Sequence, residues 1–177
     1  MTQRTRRKPY RNRRWSPKSD RVLLLLIMGA VVVVGLLIYE AVRPMPGLAQ
    51  PDLGNEHITP PATATYNTRP PTSGPHYVNL APWGIHTEPI QNELQVHNLE
   101  DGGVMVQYNC PEGCPDLVAQ LAEVVGRYPQ YVILAPYPDM DTRIALTAWG
   151  RLDAFEDFDE RRVVKFIEAY RGIDHHR

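Results

Sequence analysis

GVMVQYNCPEGCPDLVAQLAEVVGRYPQYVILAPYPDMDTRIALTAW, residues 103–149, is the stretch on which the fold turns. Residues 103–108 (GVMVQY) read as a buried strand. Residues 115–127 place Leu117, Leu121, Val124 and Val125 at helical spacing, with Pro115 suited to a first turn. Residues 131–135 (YVILA) read as a second strand, closed by Pro136 and Pro138, and 144–149 (IALTAW) as a third. The short Asp139-Met140-Asp141 between them predicts an antiparallel hairpin. Residues 155–170 then carry Phe158, Val163, Phe166, Ile167 and Tyr170 near one helical face, with Asp153, Glu156 and Asp157 at the end where the helix dipole favours negative charge. The β-α-β-β-α order predicts an α/β (α+β) domain, a small mixed-sheet sandwich.

Upstream the periodicity stops. Residues 74–102 are punctuated by Gly, Pro and Asn, and predict an ordered, loop-rich half with one short helix or strand near 94–99. Residues 43–73 hold seven prolines (Pro44, Pro46, Pro51, Pro60, Pro61, Pro70, Pro71), the composition of an extended spacer. Before it lies VLLLLIMGAVVVVGLLIY, from Val22 to Tyr39, without a charge. As a helix it spans about 27 Å, close to a bilayer's hydrocarbon core. Arg21 and Glu40 bracket it.

Charge divides the chain at the same point. Residues 1–21 carry nine Lys/Arg against Asp20 alone, while the remaining 156 carry ten basic and nineteen acidic residues, a formal −9. The positive-inside rule puts the basic end in the cytoplasm and the rest outside the cell membrane. This placement accounts for the basic run, so no nucleic-acid partner is expected. Gly47-Leu48-Ala49 has the small-residue pattern of a signal-peptidase site, but the apolar run exceeds a usual signal core and favours a retained anchor. The expected plan is a basic cytoplasmic tail at 1–21, a transmembrane helix at 22–40, a Pro-rich linker at 41–65, an extracytoplasmic domain at 66–172 and a tail at 173–177. The lipid bilayer is then a partner through residues 22–39.

Candidate chemistry concentrates in 66–108, which holds three of the six histidines. The signatures are Pro70-Pro71-Thr72-Ser73-Gly74-Pro75-His76-Tyr77, Ala81-Pro82-Trp83-Gly84-Ile85-His86 and His97-Asn98-Leu99-Glu100-Asp101-Gly102-Gly103. On a helical turn His97 and Glu100 share a face. An imidazole and a carboxylate so placed suit copper or zinc, with His76, His86 and Asp101 completing the set. Two other readings stand beside it: these side chains orient Gly/Pro-rich loops by hydrogen bonding, or they form a metal-free acid/base site. Trp83, Trp149 and Met105 read as packing residues, and His175-His176, a weak metal-binding pair, as part of a disordered tail. There is no phosphate-binding Gly-rich loop and no Gly-x-Ser-x-Gly elbow, and Ser73 is the only serine after residue 19, which speaks against a serine nucleophile.

Cys110-Pro111-Glu112-Gly113-Cys114 sits between a strand and a helix, the place for a structural disulfide, a redox pair or thiolate ligands. The pattern resembles the Cys-Pro-x-x-Cys-Pro loop of Sco-type copper proteins and, more distantly, thioredoxin-like folds. That resemblance implies copper held by Cys110, Cys114 and one histidine.

The block 66–108, with Ala135-Pro136-Tyr137-Pro138 and Ala145-Leu146-Thr147-Ala148-Trp149-Gly150-Arg151, resembles the bacterial domain-of-unknown-function family numbered 3105 over roughly residues 60–172. The resemblance implies one N-terminal span and an outer domain. Against the family pattern His-x-Leu-Glu-His-Gly, Asp101 stands at the second histidine, and His86 stands where an aromatic residue is expected. Aspartate can still ligate metal or take a proton. Three functions follow as expectations: a membrane-tethered metal-binding protein, an interaction module docking an envelope protein partner, and a thiol-disulfide redox protein.

Overall fold

A computed structural model describes residues 17–42, 44–138 and 140–176. Most of the basic tail, together with Arg43 and Asp139, lies outside the described residues. The chain divides into two compact units, residues 1–44 and 45–177.

The first unit contributes one helix, α1 (Pro17–Val42). Within it the 19 residues Arg21–Tyr39 are long and apolar enough to cross a membrane, and none of them is buried among the described residues. This single N-terminal apolar helix is compatible with membrane anchoring.

The second unit contains strands β1 (Leu48–Ala49), β2 (His57–Ile58), β3 (His76–Tyr77) and β4 (Gly84–Ile85), then helix α2 (Asn92–Glu100) and β5 (Val104–Tyr108). α3 (Pro115–Val125), β6 (Val132–Pro136), β7 (Ile144–Ala148), β8 (Arg151–Phe155) and α4 (Glu160–Tyr170) complete it. A mixed six-stranded sheet runs β1-β8-β7-β5-β6-β4, and β2 and β3 form a separate parallel pair. The expected mixed α/β architecture is therefore present.

Both faces of the sheet are covered, which is why its central strands read as continuous apolar runs. Val104, Val106, Val132, Leu134, Ile144 and Leu146 pack with Leu121, Val124, Val163, Phe166 and Ile167 of α3 and α4. Alternate residues Met105, Ile133 and Ala135 face the other way, onto Leu99 of α2, Ala81, Trp83 and Trp149.

The hairpin expected between 131–135 and 144–149 does not form. β5 lies between them, parallel to β6 and antiparallel to β7. The partner of β7 on its other side is β8, in a register that opposes Ala148 to Arg151 across the two-residue turn Trp149-Gly150. A two-residue hairpin needs positive φ in the turn, and Gly150 supplies it at φ 64°. This hairpin takes Phe155, the first residue of the expected helix, into β8, and the helix starts at Glu160 instead, capped by Asp159 accepting from the Arg162 amide at 3.1 Å.

The Pro-rich segment is not a free spacer beyond residue 45. β1 pairs antiparallel with the sheet edge at β8. The Tyr170 hydroxyl donates to the Pro46 carbonyl at 2.6 Å, and the Leu53 amide to Ser73 Oγ at 3.0 Å. The Tyr77 hydroxyl donates to the Ala62 carbonyl, and Glu93 accepts from the Ala64 amide. Proline removes its own donor but leaves its carbonyl and its neighbours' amides available, and the domain uses them. Gly47-Leu48-Ala49, which has the cleavage-site pattern, thus runs into strand β1.

Candidate metal centre

α2 has the composition of a site rather than a core helix. Glu93, Gln95, His97, Asn98 and Glu100 are all buried on it beside Val96 and Leu99. Its polar side chains are tied down one by one. Asn98 clamps Ala81, accepting from the amide and donating to the carbonyl at 2.9 Å each. Gln95 accepts from Gln107 on β5 at 2.7 Å. His97 and Glu100 fall one turn apart and join the same group of side chains.

β2 and β3 bring in the next two side chains of the group. Their two-residue parallel ladder sets His57 directly opposite His76. The rings of His57, His76 and His97 lie with centroids 4.9–5.4 Å apart. One ligand atom each from His57, His76, His97 and Glu100 lies within 4.8 Å of the others. Donors about 2.0–2.2 Å from one ion stand roughly 3–4 Å apart, so small ring rotations suffice to share it.

Hydrogen bonding decides which nitrogens point inward. His76 Nδ1 lies 2.8 Å from the Gly74 carbonyl and His97 Nδ1 2.7 Å from that of Tyr77. A carbonyl oxygen only accepts, so both Nδ1 atoms carry the proton. In a neutral ring Nε2 is then left with a lone pair, the arrangement found in metal-ligating histidines. Burial pushes the His76 pKa below its ordinary value, although the Gly74 carbonyl and Glu100 pull the other way. Yet His76 Nε2 stands 2.9 Å from Glu100 Oε2, on a side chain only 1 % exposed. A neutral Nε2 and a carboxylate oxygen are both acceptors, and a contact this short between them calls for a proton or a cation. Glu100 is itself positioned, its Oε1 accepting from Asn55 Nδ2 at 2.7 Å.

A second group, His97, Asp101 and His176, adjoins the first and shares His97 with it. Asp101 follows the last turn of α2, with Oδ1 3.7 Å from His97 Nε2. His176 Nε2 stands 3.3 Å from Glu100 Oε2 and 3.6 Å from Asp101 Oδ1. The tail expected to be disordered packs on the domain through residue 176: the His175 amide donates to the Glu100 carbonyl at 2.8 Å, and the His175 ring stacks on Trp149.

Of the expected ligands, the structure brings together His76, His97 and Glu100, with Asp101 beside them. His86 belongs to neither group; its Nε2 donates to the Pro82 carbonyl at 2.7 Å, making it a loop fastener. Cys110 and Cys114 are joined in a disulfide and pack against the α3/α4 core, on the opposite sheet face from α2, with no histidine beside them in either group. Sequence reasoning missed His57 because its segment read as spacer, and it set His175-His176 aside as a weak metal-binding pair in a disordered tail. The signal that was present is the second strand-like dipeptide, His57-Ile58, echoing His76-Tyr77.

Fold and site together define a mixed α/β domain carrying a His/Glu/Asp group arranged as metal ligands are. The chain belongs to the family described as protein of unknown function (DUF3105), whose model matches residues 57–176. That span opens on His57 and closes on His176, so every residue of both groups lies within it. No curated protein and no solved structure matches the chain.

Proposed function

We propose that this protein is a membrane-anchored, extracytoplasmic metal-binding protein that holds one copper or zinc ion through His57, His76, His97 and Glu100. The observation that carries the reading is the pair of buried histidines, each with Nδ1 fastened to a backbone carbonyl, converging with a buried carboxylate on one point. Three imidazoles and one carboxylate, with no thiolate, match the preferences of zinc and copper(II). Alpha-helix α1 supplies the anchor, and the basic residues preceding it orient the domain outward.

Elemental analysis of the full-length chain, purified in detergent without a metal-affinity tag, tests this beside the variant His97→Ala. One copper or zinc per chain in the wild type and none in the variant supports the assignment. No metal in either protein, even after reconstitution, overturns it and favours the interaction-module reading, in which the same side chains only order the loops.

A further inference from the structure

Three features of the second group stand out beyond the proposed binding site. The first is that it cannot be filled together with the first group through His97. His97 Nδ1 is committed to the Tyr77 carbonyl, so the ring offers Nε2 alone and serves one ion at a time. Two overlapping ligand sets that share a single-donor residue describe alternative positions for one ion.

The second is a gradient of exposure. Three of the four inner residues are buried (His76 and Glu100 fully, His97 nearly so) and the fourth, His57, has a side chain 42 % exposed, whereas both residues that the second group adds, Asp101 and His176, reach solvent, with side chains 27 % and 46 % exposed. An ion arriving from solvent beside the tail meets Asp101 and His176 before it meets His76.

The third is that the exposed residue is built as a ligand. His176 Nδ1 lies 2.7 Å from Asp174 Oδ1, which also accepts from the His176 amide at 2.8 Å. A carboxylate on Nδ1 aims Nε2 and raises its basicity, the second-shell device used for metal-ligating histidines. The tail is seated by backbone bonds from Gly172 to the Gly102 carbonyl (2.7 Å) and from His175 to the Glu100 carbonyl. Gly102, at φ 83°, leaves the space for it: a Cβ there would stand 2.6 Å from the Ile173 nitrogen. A tail that merely capped the domain would need neither the imidazole nor its orienting carboxylate.

We propose that His97, Asp101 and His176 form a second, outer metal position through which a divalent transition-metal ion enters and leaves the inner site. The ion arrives as a hydrated ion or weak chelate and is first held by His176, Asp101 and His97. It then keeps its bond to His97 Nε2 while exchanging Asp101 and His176 for Glu100, His76 and His57. Glu100 Oε2, 3.3 Å from His176 Nε2 and 2.9 Å from His76 Nε2, touches both sets, so ligands change one at a time without release to water. This inference rests on the metal-binding reading above.

A station on the path lowers the barrier in both directions and leaves the equilibrium alone. The test uses the full-length chain in detergent, with cobalt(II) uptake by the apo-protein followed by absorbance and zinc release into excess chelator followed separately. In His176→Ala, both rates are expected to fall about tenfold while stoichiometry stays at one and the dissociation constant barely moves. Gly102→Ala, which keeps every ligand but pushes the tail away, is expected to slow both rates in the same way. Unchanged rates in both variants overturn the proposal and leave the inner site standing. Faster release with weaker binding in His176→Ala also overturns it, since His176 would then be a resident ligand. A wild-type chain that takes up no metal removes the binding reading and this pathway together.

Discussion

On one face of the six-stranded sheet, α3 and α4 bury Leu121, Val124, Val163, Phe166 and Ile167 against apolar strand residues. On the other face, α2 buries Glu93, Gln95, His97, Asn98 and Glu100. The first face is stabilised by removing apolar area from water, at about 25 cal/mol per Å². The second is assembled against that trend, because each buried polar group there must find a partner or destabilise the fold. Asn98 on Ala81, Gln95 on Gln107 and the two Nδ1 atoms on carbonyls are such partners. His76 Nε2 meets Glu100 Oε2 at 2.9 Å, a contact that needs a proton or a cation between the two, and the Gln107 Oε1 and Thr147 Oγ1 atoms are buried without a partner. The comparison teaches that one face maintains the scaffold while the other gathers buried polar side chains, among them a His/Glu group that could hold a metal ion.

The largest expected effect breaks the apolar face. Phe166→Ala, at a fully buried position, should destabilise by about 3–5 kcal/mol in chemical denaturation, with metal content per folded molecule unchanged. A loss of metal at full folding would show the two faces to be one energetic unit.

Next comes the metal itself. A ligand binding only the folded state at a hundred times its dissociation constant stabilises by about 2.7 kcal/mol. Thermal unfolding of the domain should therefore shift upward when copper or zinc is added and downward when a chelator removes it. In His76→Ala the shift should vanish; an undiminished shift would place the ion elsewhere.

A smaller effect separates the cysteines from the site. Replacing both with serine (Cys110→Ser with Cys114→Ser) opens a short ring and should cost roughly 2 kcal/mol, with metal stoichiometry unaltered. Loss of metal in this double variant would revive the Sco-like assignment that the geometry separates from the histidines.

The smallest effect is a pH slope. Burial lowers the His76 pKa, so below the ordinary histidine range the unfolded chain binds a proton that the folded chain resists. Stability contributed by this group is thus complete above about pH 6.5 and lost as pH falls. His176, raised chiefly by its hydrogen bond to Asp174, works in the opposite sense. The informative quantity is therefore the stability difference between apo wild type and apo His76→Asn, expected to shrink as pH drops from 7 to 5. A flat difference would mean that His76 accepts its proton freely in the fold.

Local pattern carried much of this protein. The 3.6-residue period of α3, the apolar runs of β5, β6 and β7 and the uncharged length of α1 depend on neighbours in the chain, and each was legible in the sequence. So was the placing of His97 and Glu100 on one helical turn, a matter of spacing alone. The strand order was not, because β5 inserts between β6 and β7 through backbone pairing that no local period encodes. Nor was the β8 hairpin, hidden behind acidic residues that also suit a helix start.

The site divides along the same line. The sequence by itself determined an apolar helix long enough to cross a membrane, the apolar scaffold and three metal-ligand candidates that the fold unites: His76, His97 and Glu100. Only the tertiary structure decided that His57 stands opposite His76, that His176 returns to Glu100, and that His86 and the cysteines stay apart. The reason is physical: a ligand set is a convergence of side chains from distant positions, and distance along the chain is closed by backbone hydrogen bonds such as His76 to Glu56 and His175 to Glu100.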